Sequence, residues 1–434
     1  MQHAHHALTW LVVAGLGCGA RTGLEARDSG PALVDTGRCG AAVAPGSVVW
    51  QLDLPADVNF SGPRAADADG VTYFLGTPAG PNPRSYSLVA VDACGAVLWR
   101  TDDIATDFNS GARPTMFVNR DQVVVQWGAV DSFDRSTGAR RWNVSIRQYS
   151  IRAGFGDPFG NSWASVGPSA ATRDGSVLLS FQTSTAGHQL LAISPTGDLS
   201  LVAALPRQND GTPISLIVDR AGQLDVLLNT SLAGALVRSY STRGTPLFAT
   251  SFPCVRGFLG GLASGTDFIL MQTAPCVLTL RGDRGLSFAA TSESFSTAAI
   301  DAQNNLYLGG TSRGLRSVDA RGRVRWDATA SFVVGGPVLG AGRRVFVAEQ
   351  SSATDPINLV ALDGDTGIVL WRRDFAARAS ALGGIDLLLT PPGQLVSASQ
   401  NHVVSVASGS APSSDAPWPT PKGGFDQRRA ATGQ

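Results

Sequence analysis

The chain has 434 residues with 34 basic and 34 acidic side chains, so its formal net charge is zero. That balance gives no electrostatic footprint for nucleic acid or for an anionic membrane surface. Charged residues make up 16% of the chain and hydrophobic residues 43%, which argues against wholesale disorder. Its 50 glycines exceed the usual share of about 7% and indicate many tight turns.

Residue types that carry catalysis are scarce. Lys422 is the only lysine, which leaves little for Schiff-base or phosphate-loop chemistry. The body of the chain holds two histidines, His188 and His402, far apart in sequence. A histidine-rich zinc site or a Ser-His-Asp triad is therefore poorly supported. We predict no catalytic, cofactor-binding or metal-ligating residues.

In chain order, the first feature is a short apolar run from Ala7 to Ala20, too short to span a bilayer. A Gly-, Arg- and Asp-rich stretch without periodicity follows it. The pattern predicts an export signal over residues 1–20 and a flexible tether over residues 21–45. The run resembles a bacterial lipoprotein signal, in which Cys18 would be the lipidated cysteine. Export without a lipid and a misplaced start codon are the alternatives.

The strongest signal is a repeated unit: an apolar strand, a turn ending in Gly, and an aromatic or apolar residue four positions after that Gly. Its copies recur at intervals of roughly 40 to 60 residues, which fits a four-stranded propeller blade. They end at Trp50, Trp99, Trp142, Leu201, Phe248, Ala289, Trp326 and Trp371.

Three further strands follow Trp371, and a strand without predecessors lies at Val48–Leu54. Pairing the N-terminal strand into the last sheet would close the ring and remove an exposed edge. The sequence therefore predicts an all-β fold, an eight-bladed β-propeller of four-stranded antiparallel blades over residues 46–410. The N-terminal strand closes the ring in the last blade, and a tail occupies residues 411–434.

Each repeat interval also contains a second turn followed by a strand, and Asp67–Gly70, with the sequence Asp-Ala-Asp-Gly, is one example. Asp and Gly supply the backbone angles that tight hairpins need. A calcium loop is the alternative, but these turns lack the full ligand pattern with a distal Glu. The pattern favours turns over metal sites.

The Asp-x-x-Thr-Gly-x-x-x-Trp form of the repeat, at Asp134–Trp142 and Asp363–Trp371, resembles that of the PQQ-like (pyrroloquinoline-quinone repeat) β-propellers. The tail from Trp418 resembles the Trp-Pro…Thr-Gly segment near the ends of such chains. In that family, tryptophans of the outermost strands pack between neighbouring blades. The resemblance implies this structural role for Trp50, Trp99, Trp142, Trp326 and Trp371.

The family divides into quinone-dependent dehydrogenases and non-catalytic scaffolds. Many of the dehydrogenases carry a vicinal cysteine bridge and a calcium site with a Glu, whereas this propeller has no vicinal cysteines and only Glu293 and Glu349. The resemblance implies a non-catalytic, exported binding or scaffold protein without a cofactor. We expect a monomeric propeller at the bacterial cell envelope, anchored by a lipid, with protein partners there and no nucleic acid. A dehydrogenase of alcohols or sugars that uses PQQ and calcium is the alternative.

Within a blade we label the strands A to D from the centre outward. The D–A and B–C connections then lie on one side, the upper rim, and the A–B and C–D turns lie on the lower face. The longest connection, Arg147–Gly167, belongs to the upper rim and is rich in the residue types of binding hot spots. A self-packed loop over the channel is the alternative. The predicted partner-binding residues are Arg147, Tyr149, Arg152, Phe155, Asp157, Phe159 and Trp163.

Four cysteines remain besides Cys18, an even number that suits two disulfides in an exported chain. The blade register puts Cys254 and Cys276 on the upper rim, and it puts Cys39 and Cys94 near the lower face. We therefore predict the pairs Cys254–Cys276 and Cys39–Cys94. Buried free thiols are the alternative.

Overall fold

The structure is a computed structural model that describes the chain between Val43 and Ala416, with gaps. Between residues 252 and 296 it describes only strand backbone. Cys18, Cys39, the predicted signal peptide and most of the tether and tail lie outside the described residues. The gaps are residues 54–57, 60–63, 79–84, 106–114, 120, 128, 154–165, 173, 184–186, 206–211, 220–221, 231–233, 242, 253–260, 265–267, 274–275, 282–284, 291–294, 311–313, 329–330, 353–354, 376–384 and 400–401.

The described chain is made almost entirely of short antiparallel strands. The N-terminal strand is β1 (Val48–Asp53). The next sheet comprises β2 (Val58–Asn59), β3 (Arg64–Ala66), β4 (Thr72–Pro78), β5 (Ser85–Val91) and β6 (Val97–Ala105). It is followed by β7 (Thr115–Val118), β8 (Gln122–Trp127), β9 (Ala129–Asp134) and β10 (Arg140–Ser145), and then by the helix α1 (Ile146–Arg152). Two further sheets are β11 (Val166–Ala171), β12 (Val177–Thr183), β13 (Gly187–Ile193) and β14 (Leu199–Ala204), and β15 (Thr212–Val218), β16 (Leu224–Thr230), β17 (Gly234–Tyr240) and β18 (Pro246–Phe252).

The second half of the chain continues the pattern. Its strands are β19 (Gly261–Ser264), β20 (Phe268–Thr273), β21 (Cys276–Arg281) and β22 (Gly285–Ala290), then β23 (Phe295–Ile300), β24 (Leu306–Gly310), β25 (Gly314–Val318) and β26 (Val324–Ala328). The last are β27 (Phe332–Gly340), β28 (Arg344–Gln350), β29 (Ile357–Asp363) and β30 (Val369–Phe375), then β31 (Leu387–Leu389), β32 (Gln394–Ser399) and β33 (His402–Ala407).

Burial along the strands shows how the sheets are arranged. Middle strands such as β8 and β24 are buried almost throughout, because both of their faces pack against other blades. Outermost strands such as β10 and β30 are largely exposed. Inner strands of successive sheets contact each other, for example β23 with β27 and β27 with β31, and β31 contacts β3. This is the ring of a β-propeller, and the all-β prediction is confirmed.

The predicted closure by the N-terminal strand is also confirmed. Strand β1 pairs antiparallel with β33, from Val48 opposite Val406 to Asp53 opposite His402. The closing blade is therefore β31, β32, β33 and β1, and its outermost strand comes from the other end of the chain. The pairing covers the backbone edge that β33 would otherwise expose.

The prediction of eight four-stranded blades was wrong, and the structure corrects it to seven blades. These seven are described in both backbone and side chains: β2–β6, β7–β10, β11–β14, β15–β18, β23–β26, β27–β30 and the closing blade. The further sheet β19–β22 is described by strand pairing alone, and no side-chain packing is described for it. Its repeat ends in Ala289, which cannot supply the interblade contact of a tryptophan. The β2–β6 blade also departs from four strands, because both β2 and β3 pair with β4.

Five tryptophans of the outermost strands fasten neighbouring blades together on the lower face. Each indole Nε1 donates a hydrogen bond to a backbone carbonyl at the next blade's C–D turn or, in the closing blade, just after β33. The pairs are Trp50 with Ala93 at 3.1 Å, Trp99 with Arg135 at 2.9 Å, Trp142 with Pro195 at 2.9 Å, Trp326 with Gly364 at 3.0 Å and Trp371 with Ser408 at 3.3 Å. At four of these contacts the turn glycine of the repeat lets the indole approach closely, because a Cβ on Gly95, Gly138, Gly197 or Gly367 would lie 2.5–3.0 Å from the ring.

Substitution of Gly138 by Ala tests the close contact between this turn and the indole of Trp99. The φ of Gly138 is +70°, and a Cβ built on it would lie 2.5 Å from Cε3 of Trp99. Gly342 has a similar φ of +66°, but a Cβ there would meet nothing within 4 Å. We expect Gly342→Ala to cost only the backbone strain, about 1–2 kcal/mol. Gly138→Ala should cost about 1–3 kcal/mol more because it also displaces the indole.

Urea unfolding of both variants measures this difference. Equal losses of unfolding free energy would show that the indole contact at Gly138 does not contribute, and the interblade role of Trp99 would then have to be abandoned.

Candidate interaction site

The upper rim carries the helix α1, which begins directly where β10 ends. Ser145 caps it, accepting a hydrogen bond from the backbone N–H of Gln148 at 3.3 Å through its hydroxyl. Ile146 is fully buried, and Tyr149 lies three residues later on the same face. The Tyr149 ring packs edge-on against Phe181 of β12, with 6.2 Å between ring centroids. These contacts fix the helix on the blade behind it.

The opposite face of α1 points to solvent. Arg147, Gln148, Ile151 and Arg152 are exposed, and Ile151 leaves 51% of its surface accessible. Arg and an aliphatic side chain on one short, capped helix can contact a partner that offers both acidic and apolar groups.

The structure divides the residues predicted for partner binding. It brings Arg147, Tyr149 and Arg152 onto α1, whereas Phe155, Asp157, Phe159 and Trp163 lie outside the described residues. Tyr149 faces the interior rather than a partner, and burial raises the pKa of its hydroxyl. Sequence reasoning placed these residues in a loop and missed Ile151. The cap Ser145 and the spacing of Ile146 and Tyr149 are the signals that would have indicated the helix.

A buried carboxylate, Asp131 of β9, supports the rim from inside. It accepts hydrogen bonds from the Tyr86 hydroxyl at 3.0 Å and from Asn143 Nδ2 at 2.8 Å, and it pairs with the Arg140 guanidinium at 3.1 Å. Burial, followed by the charge of Asp131 and the hydrogen bond to it, raises the pKa of Tyr86. Tyr86 belongs to β5, so the cluster joins two blades directly below the strand that leads into α1.

Comparison with known proteins identifies the family. The family model of the outer membrane protein assembly factor BamB matches residues 36–243 and 287–411. The chain belongs to the PQQ-like β-propeller family of BamB. The unmatched segment between these ranges includes most of the sheet β19–β22. No curated protein sequence matches the chain.

Two solved structures show the same fold at low identity. BamB from Moraxella catarrhalis is 13% identical with a TM-score of 0.54, covering 83% of this chain and 99% of that chain. Sqt1 from Chaetomium thermophilum, bound to the N-terminus of the ribosomal protein L10, is 11% identical with a TM-score of 0.61, covering 83% and 100%. At such identities the likeness to these structures shows the fold alone.

The lower face of this BamB-family propeller has a small cavity of about 100 Å³ beside β27. Asp301, Arg343 and Asp415 are among its lining residues. Asp301 accepts hydrogen bonds from two backbone N–H groups and from the Tyr307 hydroxyl, and Arg343 pairs with Asp365 at 2.8 Å. The charges of these two lining residues are therefore taken up within the protein.

The described part of this BamB-family chain shows neither a cluster of metal ligands nor a membrane-spanning helix. Among the described residues, no three His, Cys, Asp or Glu side chains come together as metal ligands. The Asp67 carboxylate accepts hydrogen bonds from the N–H groups of Asp69 and Val71, both at 2.9 Å, as expected of a turn. In the same part of the chain, no helix has the length and hydrophobicity to cross a bilayer.

Cys94 lies exposed in the C–D turn between β5 and β6, and it is disulfide-bonded. Cys39 and Cys254 lie outside the described residues, and only the backbone of Cys276 is described. The pairs Cys39–Cys94 and Cys254–Cys276 therefore stay predictions.

Proposed function

We propose that this protein is a non-catalytic scaffold that binds protein partners at the bacterial cell envelope through the upper rim at α1. The main observation that supports this proposal is the helix α1. Tyr149 anchors its inner face, while Arg147, Ile151 and Arg152 are presented to solvent on a fixed backbone. A pre-ordered surface of this kind loses little entropy when a partner docks.

The family supports a role in protein interaction. The matching family is named for an outer membrane protein assembly factor, BamB. A fold relative, Sqt1, was captured with the N-terminus of another protein bound to it. We infer that the partner here is likewise a protein segment, and the two guanidinium groups on α1 favour one with acidic residues.

Export is supported by three observations. The apolar run before Cys18 fits an export signal, with Cys18 as the lipidated cysteine, and the matching family is named for an outer membrane protein assembly factor. The disulfide at Cys94 suits an oxidising compartment such as the periplasm. We therefore place the propeller in the envelope, held by a lipid on Cys18.

Charge reversal tests the rim. The double variant Arg147→Glu/Arg152→Glu should weaken partner capture from envelope extracts at least ~10-fold, because it removes the cationic groups that meet an acidic segment. The matched control is Arg243→Glu/Arg321→Glu, the same charge change at two exposed arginines of the lower face. Capture is quantified after photocrosslinking from position 151.

Equal capture by both double variants would reject α1 as the docking site. Unchanged unfolding midpoints in urea establish that any loss of capture comes from the surface and not from misfolding.

A further inference from the structure

The chain continues past β33 as a strap, residues Ser408–Ala416, that crosses the lower face beneath the β27–β30 blade. It leaves the closing blade at Ser408, whose backbone N–H and hydroxyl both donate to the Gly393 carbonyl, at 2.9 and 2.7 Å. It ends at Ala416, which is fully buried in the hydrophobic cluster that contains Trp326 and Leu339. The strap therefore joins three blades.

The middle of the strap is paired as a strand to the innermost strand, β27. The Ala341 N–H donates to the Ala411 carbonyl at 2.8 Å, and the Ser413 N–H donates to the Leu339 carbonyl at 3.1 Å. Pro412 lies opposite Gly340 as a single antiparallel bridge. The other edge of β27 is taken by β28, so this pairing occupies the edge that faces the central channel.

Small side chains make the contact possible. A Cβ on Gly340 would lie 2.6 Å from the hydroxyl oxygen of Ser410, so a larger residue on β27 would push the strap away. The N–H that Pro412 lacks belongs to the edge turned away from β27, where no strand needs it. This edge of β27 therefore accepts an extended segment of small residues with one proline, followed by a small apolar residue that becomes buried.

We propose that the channel-side edge of β27 is a second protein-docking site, occupied in the free protein by the strap and taken over by an extended partner segment of the same chemistry. This site lies on the lower face and is independent of the rim at α1. Its recognition is mainly through backbone hydrogen bonds, which different sequences can make equally well. The partner class is a flexible tail or linker with a small-Pro-small core.

The test releases the strap from β27 without changing any residue of β27. Ser413→Pro removes the N–H that bonds Leu339, whereas Ser413→Ala keeps that N–H and loses only the hydroxyl contact to Asp415. The probe is a fluorescent peptide with the sequence of Ser408–Ala416. Its binding to the full-length protein and to each variant is measured by the fluorescence anisotropy of the peptide. We expect at least ~10-fold tighter binding to Ser413→Pro than to Ser413→Ala or the unaltered protein, because the cis segment competes in the latter two.

Hydrogen exchange on the unaltered protein gives a second measurement that needs no variant. The amides of Ala341 and Ser413 should exchange together, and at least ~100-fold faster than the paired amides of β28 and β29, because the strap opens locally. Equal affinity of the probe for all three proteins, or no binding to any, would overturn the proposal. Exchange of Ala341 and Ser413 as slow as that of β28 and β29 would do so too.

Discussion

Replacing Trp50 by Ala is expected to destabilise the propeller by about 3–5 kcal/mol, the usual cost of deleting a large buried aromatic ring. Only 3% of the Trp50 surface is exposed. Its Nε1 donates to the Ala93 carbonyl at 3.1 Å and to Gln394 Oε1 at 3.3 Å. Gln394 in turn donates to the same carbonyl at 2.8 Å, so the variant also leaves part of a buried hydrogen-bond network without its donor.

The position of Trp50 extends the effect of this loss to the closure of the ring. Strand β1 is the outermost strand of the closing blade, and its tryptophan docks on the turn between β5 and β6 of the following blade. The ring therefore depends on Trp50 at the seam where the two ends of the chain meet. Guanidinium-induced unfolding, followed by the change in tryptophan fluorescence and by circular dichroism, measures the effect.

Trp50→Phe separates the two contributions at this site. It keeps an aromatic ring next to Gly95 and removes the indole N–H together with part of the fused ring. We expect it to cost about 1–2 kcal/mol, in the range of an unmade buried hydrogen bond. A Trp50→Ala variant no less stable than Trp50→Phe would contradict a packing role for the indole.

The closure of the ring and the interblade tryptophans could be predicted from the sequence. The spare strand at Val48 and the incomplete last sheet indicated the closure between β1 and β33, because an unpaired edge is costly. The Gly-to-Trp spacing indicated which residues lie between blades. Each of these signals is local in the sequence and repeats along the chain.

The rest depends on contacts that the repeat does not contain. Helix α1 is only seven residues long, and its pattern was too short to distinguish from a loop. The inward direction of Tyr149 follows from Phe181, which lies on a different strand. The strap pairing with β27 involves Gly340 and Pro412, whose proximity no periodicity announces.

The burial of Asp225 in β16 is a further feature that the sequence does not predict. An acidic residue in a strand with partial alternation of polar and apolar residues suggests an exposed side chain. The exposed fraction of Asp225 is 0%. The Ser239 hydroxyl donates to its Oδ1, and its Oδ2 has no hydrogen-bond partner among the described residues. Burial raises the pKa of Asp225 to about 8, the Ser239 bond lowers it in part, and the charge of Asp219 raises it further.

Other blades show what is unusual here. In β4 and β24 the same position after the A–B turn holds Tyr73 and Tyr307, whose hydroxyls donate to an Asp six residues earlier, at 2.8 and 3.0 Å. In the β15–β18 blade the Asp six residues earlier is Asp219. A carboxyl thus stands where those two blades have a phenol donor, and it must hold a proton to avoid two facing charges.

The pH dependence follows from that proton. The pKa of Asp225 is higher in the folded protein than in the unfolded chain, where it is about 3.9. The folded state therefore binds the proton more tightly, and the stabilisation is fully present below pH ~4 and is lost as pH rises through about 8. One proton gives a slope of about 1.4 kcal/mol per pH unit between these limits.

Asp225→Asn should remove this slope, because the amide has the shape of the protonated carboxyl and cannot ionise. We expect the variant to be more stable than the unaltered protein at pH 8 and to differ little from it near pH 4. Asp374→Asn, the same change at an exposed residue of β30, is the control and should leave the curve nearly unchanged. Urea unfolding at half-unit steps from pH 4.5 to 8.5 gives the three curves. Parallel curves for the Asp225→Asn variant and the unaltered protein would show that Asp225 has the same pKa in the folded and unfolded states, and the protonated carboxyl inferred here would be rejected.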